Sequence, residues 1–157
     1  MAPATLPTVR DVHAGDEDRW RSLYSAYRAF YRLPEDRSAV TATWCWVLGR
    51  EHSLFGVVAV DEVDSPIALA NLRWFARPST GTIGLYLDDL YTDEGQRGRG
   101  AGAALLGRAA QLAGERGASV VRWITATDNA AARRLYDSHA VATPWVTYDM
   151  PPATSAL

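Results

Sequence analysis

In the stretch EGQRGRGAGAALL, Glu94 to Leu106, four glycines and two arginines run directly into a row of alanines and leucines. Glycine has no Cβ, so successive amides of such a loop can turn inward and approach an anion closely. A helix that starts at the end of the loop adds free N–H groups and its dipole, and arginines pair with phosphate oxygens. The stretch therefore predicts a phosphate-binding loop. The alternative is a flexible loop with a solvated basic edge.

The residues around this loop predict a parallel crossover in a β-sheet. Residues 82–92 are typical of a strand, and residues from about 100 to 116 predict a helix that Gly117 closes. Residues 119–126 form a β-branched run that predicts the next strand. Two strands joined through a single helix are expected to lie parallel in one sheet.

The rest of the chain predicts further strands and helices around this crossover. The other expected strands are Thr8 to Val12, Leu54 to Val60, Ile67 to Ala76 and a last strand, Val141 to Tyr148. The other expected helices start near Gly15-Asp16, at Ser38 and at Asp128 or Asn129, and end at Pro34, Gly49 and about Ser138. The order β-α-α-β-β-β-α-β-α-β predicts the α/β class, a mixed sheet flanked by helices. We expect one domain over residues 1–150 and a loose tail over 151–157.

Composition argues against several classes of protein. The net charge is −2 and the pI is near 5.9, so we expect no nucleic-acid partner. No signal-like or membrane-spanning run is present, which predicts a cytoplasmic protein with no membrane partner. Cys45 is expected to be a small buried thiol, and the three histidines have no metal-binding spacing, so no metal is expected. All sixteen basic residues are arginine.

Two common phosphate-binding motifs do not fit the loop. A dinucleotide-binding fingerprint needs G-x-G-x-x-G in an early βαβ unit and an acidic residue at the end of the next strand. Here the glycines are Gly98, Gly100 and Gly102, the crossover comes late, and the next strand ends in threonines. A Walker loop needs Gly-Lys-Ser/Thr, and the chain contains no lysine.

The stretch YLDDLYTDEGQRGRGAGAALL resembles the central motif of the GNAT superfamily of acetyl-CoA-dependent N-acetyltransferases. That motif, R/Q-x-x-G-x-G/A, is met by Arg97, Gly100 and Gly102. The later stretch TATDNAAARRLYD is similar to the second motif of the superfamily, N-x-x-A-x-x-L-Y, and the first helix resembles the aromatic opening of its Hpa-type branch. The second motif is met by Asn129, Ala132, Leu135 and Tyr136.

The resemblance implies that acetyl-CoA is the co-substrate and that the glycine loop holds its pyrophosphate. It also implies that the end of the preceding strand pairs with the pantetheine arm and that the second motif holds the far side of that arm. The residues implied to bind the coenzyme are Leu90, Tyr91, Thr92, Arg97, Gly98, Arg99, Gly100, Ala101, Gly102, Ala103, Asn129 and Ala132.

Acetyl transfer to an amine needs a base for the ammonium proton and an acid for the leaving thiolate. By resemblance, Asp88 is the base, acting through water, and Tyr136 is the acid, while Asp89 orients the substrate or is structural. Alternation along the strand predicts that Leu85, Leu87, Asp89 and Tyr91 share one face and that Tyr86, Asp88, Leu90 and Thr92 share the other. The alternative for both aspartates is an ion pair with an arginine such as Arg73.

The two early helices carry the aromatic candidates for an acceptor pocket, namely Tyr27, Tyr31 and Trp46. The resemblance implies direct attack in a ternary complex by a small primary amine: an amino acid, a polyamine or an amine antibiotic. Two alternatives stay open, acetylation of protein or peptide amines and a non-catalytic acyl-CoA-binding module. The resemblance also allows a homodimer through the last strand. The run DSHAVATPW lacks the glycine that usually follows Tyr136, so this end is expected to differ from relatives.

Overall fold

The structure is a computed structural model that describes residues 5–154. It contains a five-stranded mixed sheet and four α-helices. The strands are β1 (Thr8–Asp11), β2 (Leu54–Val60), β3 (Pro66–Arg77), β4 (Thr82–Thr92) and β5 (Val121–Arg122). The helices are α1 (Glu17–Phe30), α2 (Arg37–Gly49), α3 (Ala101–Glu115) and α4 (Ala130–Asp137).

The sheet has the order β1-β2-β3-β4-β5, and only β4 and β5 are parallel. These two strands are joined through the glycine loop and α3, so the predicted crossover is confirmed. The predicted end of α3 is confirmed as well, since Gly117 follows the helix with a φ of 70°.

Helices cover both faces of the sheet and produce two hydrophobic cores. One core packs α1 and α2 on the sheet through Trp20, Leu23, Trp44 and Val47. The other packs α3 on the opposite face, where Leu105 and the alanines of the helix contact β2, β3 and β4. Small residues on α3 let its backbone approach the sheet closely.

The start of α2 differs from the prediction, and its end lies at the predicted residue. Asp36, not Ser38, caps the helix, because its Oδ1 accepts a hydrogen bond from the Ala39 amide at 3.0 Å. The helix ends at Gly49 as predicted, but the left-handed residue is Arg50, with a φ of 56°. Cys45 is exposed and not buried as expected, because the buried stripe of α2 passes through Val40, Trp44 and Val47.

A β-bulge in β4 overturns the predicted alternation of its side chains. Asn71 pairs with Asp89 and the next residue of β3 pairs with Leu87, so Asp88 has no partner in β3. The extra residue shifts the pleat by one position. Leu87 therefore packs in the α3 core, whereas Asp89 and Tyr91 lie on the side of α1.

The end of the chain also differs from the prediction. The fifth strand is formed at Val121–Arg122, and the two residues before it also hydrogen-bond β4, from the Ser119 amide to the Ile83 carbonyl and from the Leu85 amide to the Val120 carbonyl. Residues 123–126, predicted as part of this strand, do not pair with β4. The last predicted strand, Val141 to Tyr148, is not formed: residues 141–148 are exposed and have no strand pairing. A strand needs a neighbour for its backbone groups, and this segment lies beside none in the described chain.

Candidate active site

A cleft opens where β4 and β5 separate. The pairing of the strands ends at Tyr86 on β4 and at Arg122 on β5. Beyond this point the gap between them widens into a cleft of about 400 Å³. The lining residues are Tyr27, Tyr31, Leu87, Asp88, Leu90, Trp123, Ile124, Thr125, Ala126 and Tyr136.

Asp88 lies at this cleft because the bulge in β4 frees it from strand pairing. Arg73, on β3, donates from its Nε to Asp88 Oδ2 at 2.8 Å and to Oδ1 at 3.1 Å. The predicted alternative of an ion pair with Arg73 is therefore what the structure contains for Asp88. Burial raises the pKa of Asp88 above its ordinary value, and Arg73 offsets this only in part. A carboxylate with a raised pKa, in a cleft, can accept a proton from a substrate.

Asp89 lies on the other side of the strand and has different partners. Asn71, which is fully buried, donates from its Nδ2 to Asp89 Oδ2 at 2.9 Å. In residues 5–154 no ion pair of Asp89 is found, so the alternative of an arginine partner does not hold there. Burial, and then the charge of Asp89, raise the pKa of Tyr27, and the same causes raise the pKa of Tyr24 to about 12. Asp89 therefore places negative charge behind the tyrosines of α1.

Tyr136 and Tyr31 come from the two layers of the fold and meet at the cleft. Tyr136, on α4, packs the edge of its ring against Trp123 at 5.2 Å between centroids. Burial, and next the neighbouring Tyr31, raise the pKa of Tyr136 to about 12. The hydroxyl therefore keeps its proton at neutral pH, as a proton donor must.

Asn129 connects the second motif to the cleft. Its side-chain oxygen caps α4 by accepting from the Ala132 amide at 3.4 Å, so Asn129 is the cap rather than Asp128. Its Nδ2 donates to Thr125 Oγ1 at 3.3 Å and to Tyr31 Oη at 3.4 Å. The cap thus orients α4, with Tyr136 on it, against the strand that forms the cleft wall.

The glycine loop has the conformation that anion binding needs. Gly98 and Gly100 have φ angles of 76° and 83°, in the left-handed region that favours glycine. A Cβ at Gly102 would lie 2.8 Å from Leu135 Cδ2, so a small residue lets α3 and α4 approach. The N-cap of α3 is Gly100, which has no side chain to cap the helix, so its first amides are open to an outside acceptor. The loop therefore fits a diphosphate group.

The two arginines of the loop lie beside it with exposed side chains. Arg97 donates from its Nε to the Thr92 carbonyl at 3.3 Å, and its guanidinium lies 5.5 Å from the ring centroid of Tyr91. Arg99 donates to the Gln96 side chain at 3.2 Å. Arg97 therefore ties the end of β4 to the loop, while both charges stay close to the start of α3.

Sequence reasoning missed one wall of the cleft and misplaced one aromatic residue. The wall formed by residues 123–126 was not predicted as a site, although such residues follow a strand of a parallel crossover, where sites are common. Tyr27 and Tyr31, both predicted for an acceptor pocket, line the cleft. Trp46 is not among the lining residues; its ring lies 5.0 Å from His52, and 39% of its surface is exposed. Trp46 was predicted as a pocket residue only because helical periodicity places it off the buried stripe of α2.

Two features are absent from residues 5–154. No group of three or more histidine, cysteine, aspartate or glutamate side chains there is arranged to hold a metal ion. Within the same residues, none of the helices is both long and apolar enough to cross a membrane.

Comparison with known proteins relates the chain to acetyltransferases. Residues 20–140 match the model of the Acetyltransferase (GNAT) family. The D-amino-acid N-acetyltransferase HPA3 of Saccharomyces cerevisiae is 28% identical over 141 residues, which are 89% of this chain and 88% of that protein.

Two solved structures share the fold. The ribosomal-protein-alanine N-acetyltransferase from Brucella melitensis biovar Abortus 2308 has a TM-score of 0.78 at 21% identity, over 92% of this chain and 98% of that chain. The structure of AAC(6')-Iy in complex with a bisubstrate analog has a TM-score of 0.79 at 14% identity, over 95% of this chain and all of that chain. The family match covers most of the chain, from the first helix to the end of the second motif, and it confirms the predicted family and fold class. The chain therefore belongs to the GNAT family of acetyltransferases, and it is an acyltransferase that carries its candidate site in the gap between β4 and β5.

Proposed function

We propose that the protein transfers an acetyl group from acetyl-CoA to the primary amine of a small molecule, by direct attack in a ternary complex. The observation that carries the proposal is that Asp88 and Tyr136, a carboxyl and a phenol with raised pKa values, line the same cleft. A protein that only binds acyl-CoA needs neither group at that place.

The glycine loop and the end of β4 are the proposed coenzyme site. The open amides of Ala101, Gly102 and Ala103 would bind the pyrophosphate, helped by Arg97 and Arg99. Residues 90–92 lie on β4 where β5 has separated, so the backbone groups that do not pair with β3 can pair with the pantetheine arm, apart from the Thr92 carbonyl, which accepts from Arg97. Asn129 and Ala132 would bound the arm on its other side. When bound, acetyl-CoA supplies the acetyl thioester.

Asp88 and Tyr136 have opposite proposed roles in proton transfer. Asp88 takes the proton from the ammonium group of the acceptor, through a water molecule, because an aspartate side chain is short. Tyr136 donates its proton in a hydrogen bond to the departing thiolate as the C–S bond breaks; because the phenol pKa of about 12 lies above the ordinary thiol pKa of about 8.5, the phenol stabilises the thiolate without leaving a free phenolate. A donor that still holds its proton at neutral pH can stabilise the departing thiolate.

The acceptor is proposed to be a small cationic amine, with an amino acid first among the candidates. Tyr27 and Tyr31 offer aromatic faces to an ammonium group, and Asp89 adds negative charge behind them. A cleft of about 400 Å³ is in the size range of small-molecule sites, which favours a small amine over a peptide. The relative HPA3 is named for D-amino acids, which supports the same class.

Thiol release from acetyl-CoA, measured over a panel of amino acids, polyamines, amine antibiotics and short peptides, tests the proposal. We expect release with at least one small amine. Asp88→Ala and Tyr136→Phe should each lower kcat by about 10²- to 10⁴-fold while the affinity for coenzyme A, measured by calorimetry, changes little. Asp137→Ala is the matched control, since Asp137 is an exposed carboxyl next to Tyr136 on the same helix.

Two results would contradict the proposal, and each would favour one of the alternatives. Coenzyme binding without thiol release for any amine would favour a non-catalytic acyl-CoA-binding module. Release with peptides alone would favour a protein or peptide acetyltransferase.

A further inference from the structure

Arg73 uses only part of its hydrogen-bonding capacity on Asp88. A guanidinium has five N–H donors, one on Nε and the others on the two Nη atoms. Nε of Arg73 donates to both carboxyl oxygens of Asp88, at 2.8 and 3.1 Å, whereas within residues 5–154 neither Nη atom donates to the protein. The side chain is 41% exposed, and neither Nη atom is buried without a partner. The Nη atoms are therefore open to an anionic group from outside the chain.

The guanidinium of Arg73 is held in place by two neighbours. Its Cζ atom lies 4.4 Å from the ring centroid of Tyr86, and the Tyr86 ring packs edge-on against Phe75 at 6.0 Å between centroids. Asp88 binds Nε at the same time. A cation that is stacked on a ring and tied to a carboxylate loses little further freedom when a ligand binds. Arg73 is thus preorganised for a planar anion such as a carboxylate, which a guanidinium binds through parallel hydrogen bonds.

The region around Tyr86 carries an excess of positive charge. Arg122, on β5, has its Cζ atom 5.6 Å from the ring centroid of Phe75, and it forms no ion pair within the described chain. Burial raises the pKa of Tyr86 and Asp88 adds to the rise, whereas the charges of Arg73 and Arg122 oppose it. Two guanidinium groups and one carboxylate therefore lie near this ring. One anionic group from a ligand would balance them.

We propose that the Nη atoms of Arg73 bind the carboxylate of the acceptor, so that the acceptor is an α-amino acid. The inference rests on the proposed function, in which Asp88 takes the proton from the ammonium group of the acceptor. In an α-amino acid one carbon carries both the ammonium group and the carboxylate. In the protein, the carboxyl of Asp88 and the guanidinium of Arg73 are in direct contact as well. The two charged groups of the ligand therefore match the two halves of this ion pair.

The same arrangement disfavours acceptors that have no carboxylate. A polyamine, or an amine antibiotic without a carboxylate, would bring further positive charge beside Arg73 and offer its Nη atoms no acceptor. Like charges placed together reject a wrong ligand more effectively than contacts to the right one select it. Arg73 is therefore the specificity-determining residue that separates amino acids from the other small amines.

Kinetics with an amino acid and its carboxamide test the inference. The amino acid is the one with the highest kcat/KM in the amine panel, and its carboxamide keeps the amine and the side chain but lacks the negative charge. Arg73→Met should raise KM for the amino acid by about 10- to 100-fold, the range of a lost charge-assisted hydrogen bond, and leave KM for the carboxamide nearly unchanged. Comparing the two proteins cancels the difference in basicity between the two amines.

Two further variants separate carboxylate binding from the effect of Arg73 on Asp88. Arg73→Lys keeps a positive charge beside Asp88 but lacks the planar guanidinium, so KM for the amino acid should rise less than in Arg73→Met. Arg77→Met is the matched control, because Arg77 lies on the same strand and donates to Ser119, and both KM values should stay as in the wild type. Rates are measured on the pH plateau of each variant, so that Asp88 is deprotonated in all of them.

Calorimetry with the acetylated product tests the same site without turnover. An N-acetyl amino acid keeps the carboxylate but has no ammonium group. In the presence of coenzyme A, it should bind the wild type about 10-fold more tightly, or better, than its own carboxamide. Arg73→Met should remove this difference, whereas Arg77→Met should keep it. Circular dichroism of each variant should match the wild type, since both arginines are partly exposed.

The outcomes distinguish this inference from the proposed function. An equal effect of Arg73→Met on the amino acid and its carboxamide would overturn the inference and leave the proposed function standing. Acetylation of polyamines without acetylation of any amino acid would do the same. Binding of the N-acetyl amino acid through Arg73, with no thiol release for any amine, would support the carboxylate site and contradict the proposed function.

Discussion

At the scale of single residues, the environment of Asp88 separates it from its neighbour. The bulge in β4 turns the two adjacent carboxyls to different sides. Asp88 is held by Arg73 at the cleft, and Asp89 is held by Asn71 below the tyrosines of α1. Two carboxyls in contact would repel, whereas two that are turned apart can have different roles.

The pH dependence of kcat/KM should report the state of Asp88. A base must be deprotonated, and burial raises the pKa of Asp88, so kcat/KM should fall as pH falls through that pKa. Arg73 is the group that lowers this pKa. In Arg73→Met the pKa should therefore rise further, and the acid limb of the profile should move to higher pH.

Arg77→Met is the control for this shift, since Arg77 is on the same strand but donates to Ser119 and not to Asp88. Its profile should follow the wild type. An acid limb that stays in place in Arg73→Met would mean that a different group is the base.

At the scale of elements, the proposed anion binding by the loop between β4 and α3 depends on backbone conformation more than on side chains. Gly98 and Gly100 adopt the left-handed region just before the first turn of α3, which leaves the first amides of the helix without a side-chain cap. Non-glycine residues in this region cost about 1–2 kcal/mol each.

Substitution of Gly98 should weaken coenzyme binding. A Cβ at Gly98 would meet no atom within 4 Å, so the effect of Gly98→Ala comes from its φ of 76° and not from a clash. If the loop relaxes to relieve this strain, its amides move, and coenzyme A affinity should fall by about 10-fold in calorimetry. Gly95→Ala is the control, as Gly95 is in the same loop with equal space but without a positive φ. Equal affinities for the two variants would contradict this role of the loop.

Local signals predicted the elements that are determined locally. The start of α4 at Asn129 and the end of α3 at Gly117 depend on capping and turn residues, which are visible in the sequence. The bulge at Asp88 could not be predicted, because alternation assumes one-to-one pairing and the pairing partner is distant in sequence. The pairing of β5 and the absence of a strand at residues 141–148 likewise depend on which strands lie next to them in the sheet, and the sequence pattern does not show this.

At the scale of the whole molecule, the site joins the two layers that cover the sheet. Tyr27 and Tyr31 come from the layer of α1 and α2, whereas Tyr136 comes from α4, which packs with the α3 core. Residues of the two layers meet at the cleft where β4 and β5 diverge. The cleft therefore lies between the two hydrophobic cores, at the point where β4 and β5 separate.

The composition of the whole chain predicts how many stable acetyl groups it can accept from acetyl-CoA. All sixteen basic residues are arginine, and a guanidinium stays protonated and is a poor acetyl acceptor at neutral pH. After incubation with acetyl-CoA, intact mass spectrometry should show at most one acetyl amide, on the terminal amine. Cys45 is exposed, so any thioester on it should be removed by hydroxylamine and be absent in Cys45→Ala. Arg134→Lys, treated with acetic anhydride, is the positive control for an exposed side-chain amine on α4. Two or more hydroxylamine-stable acetyl groups on the wild type would contradict the prediction.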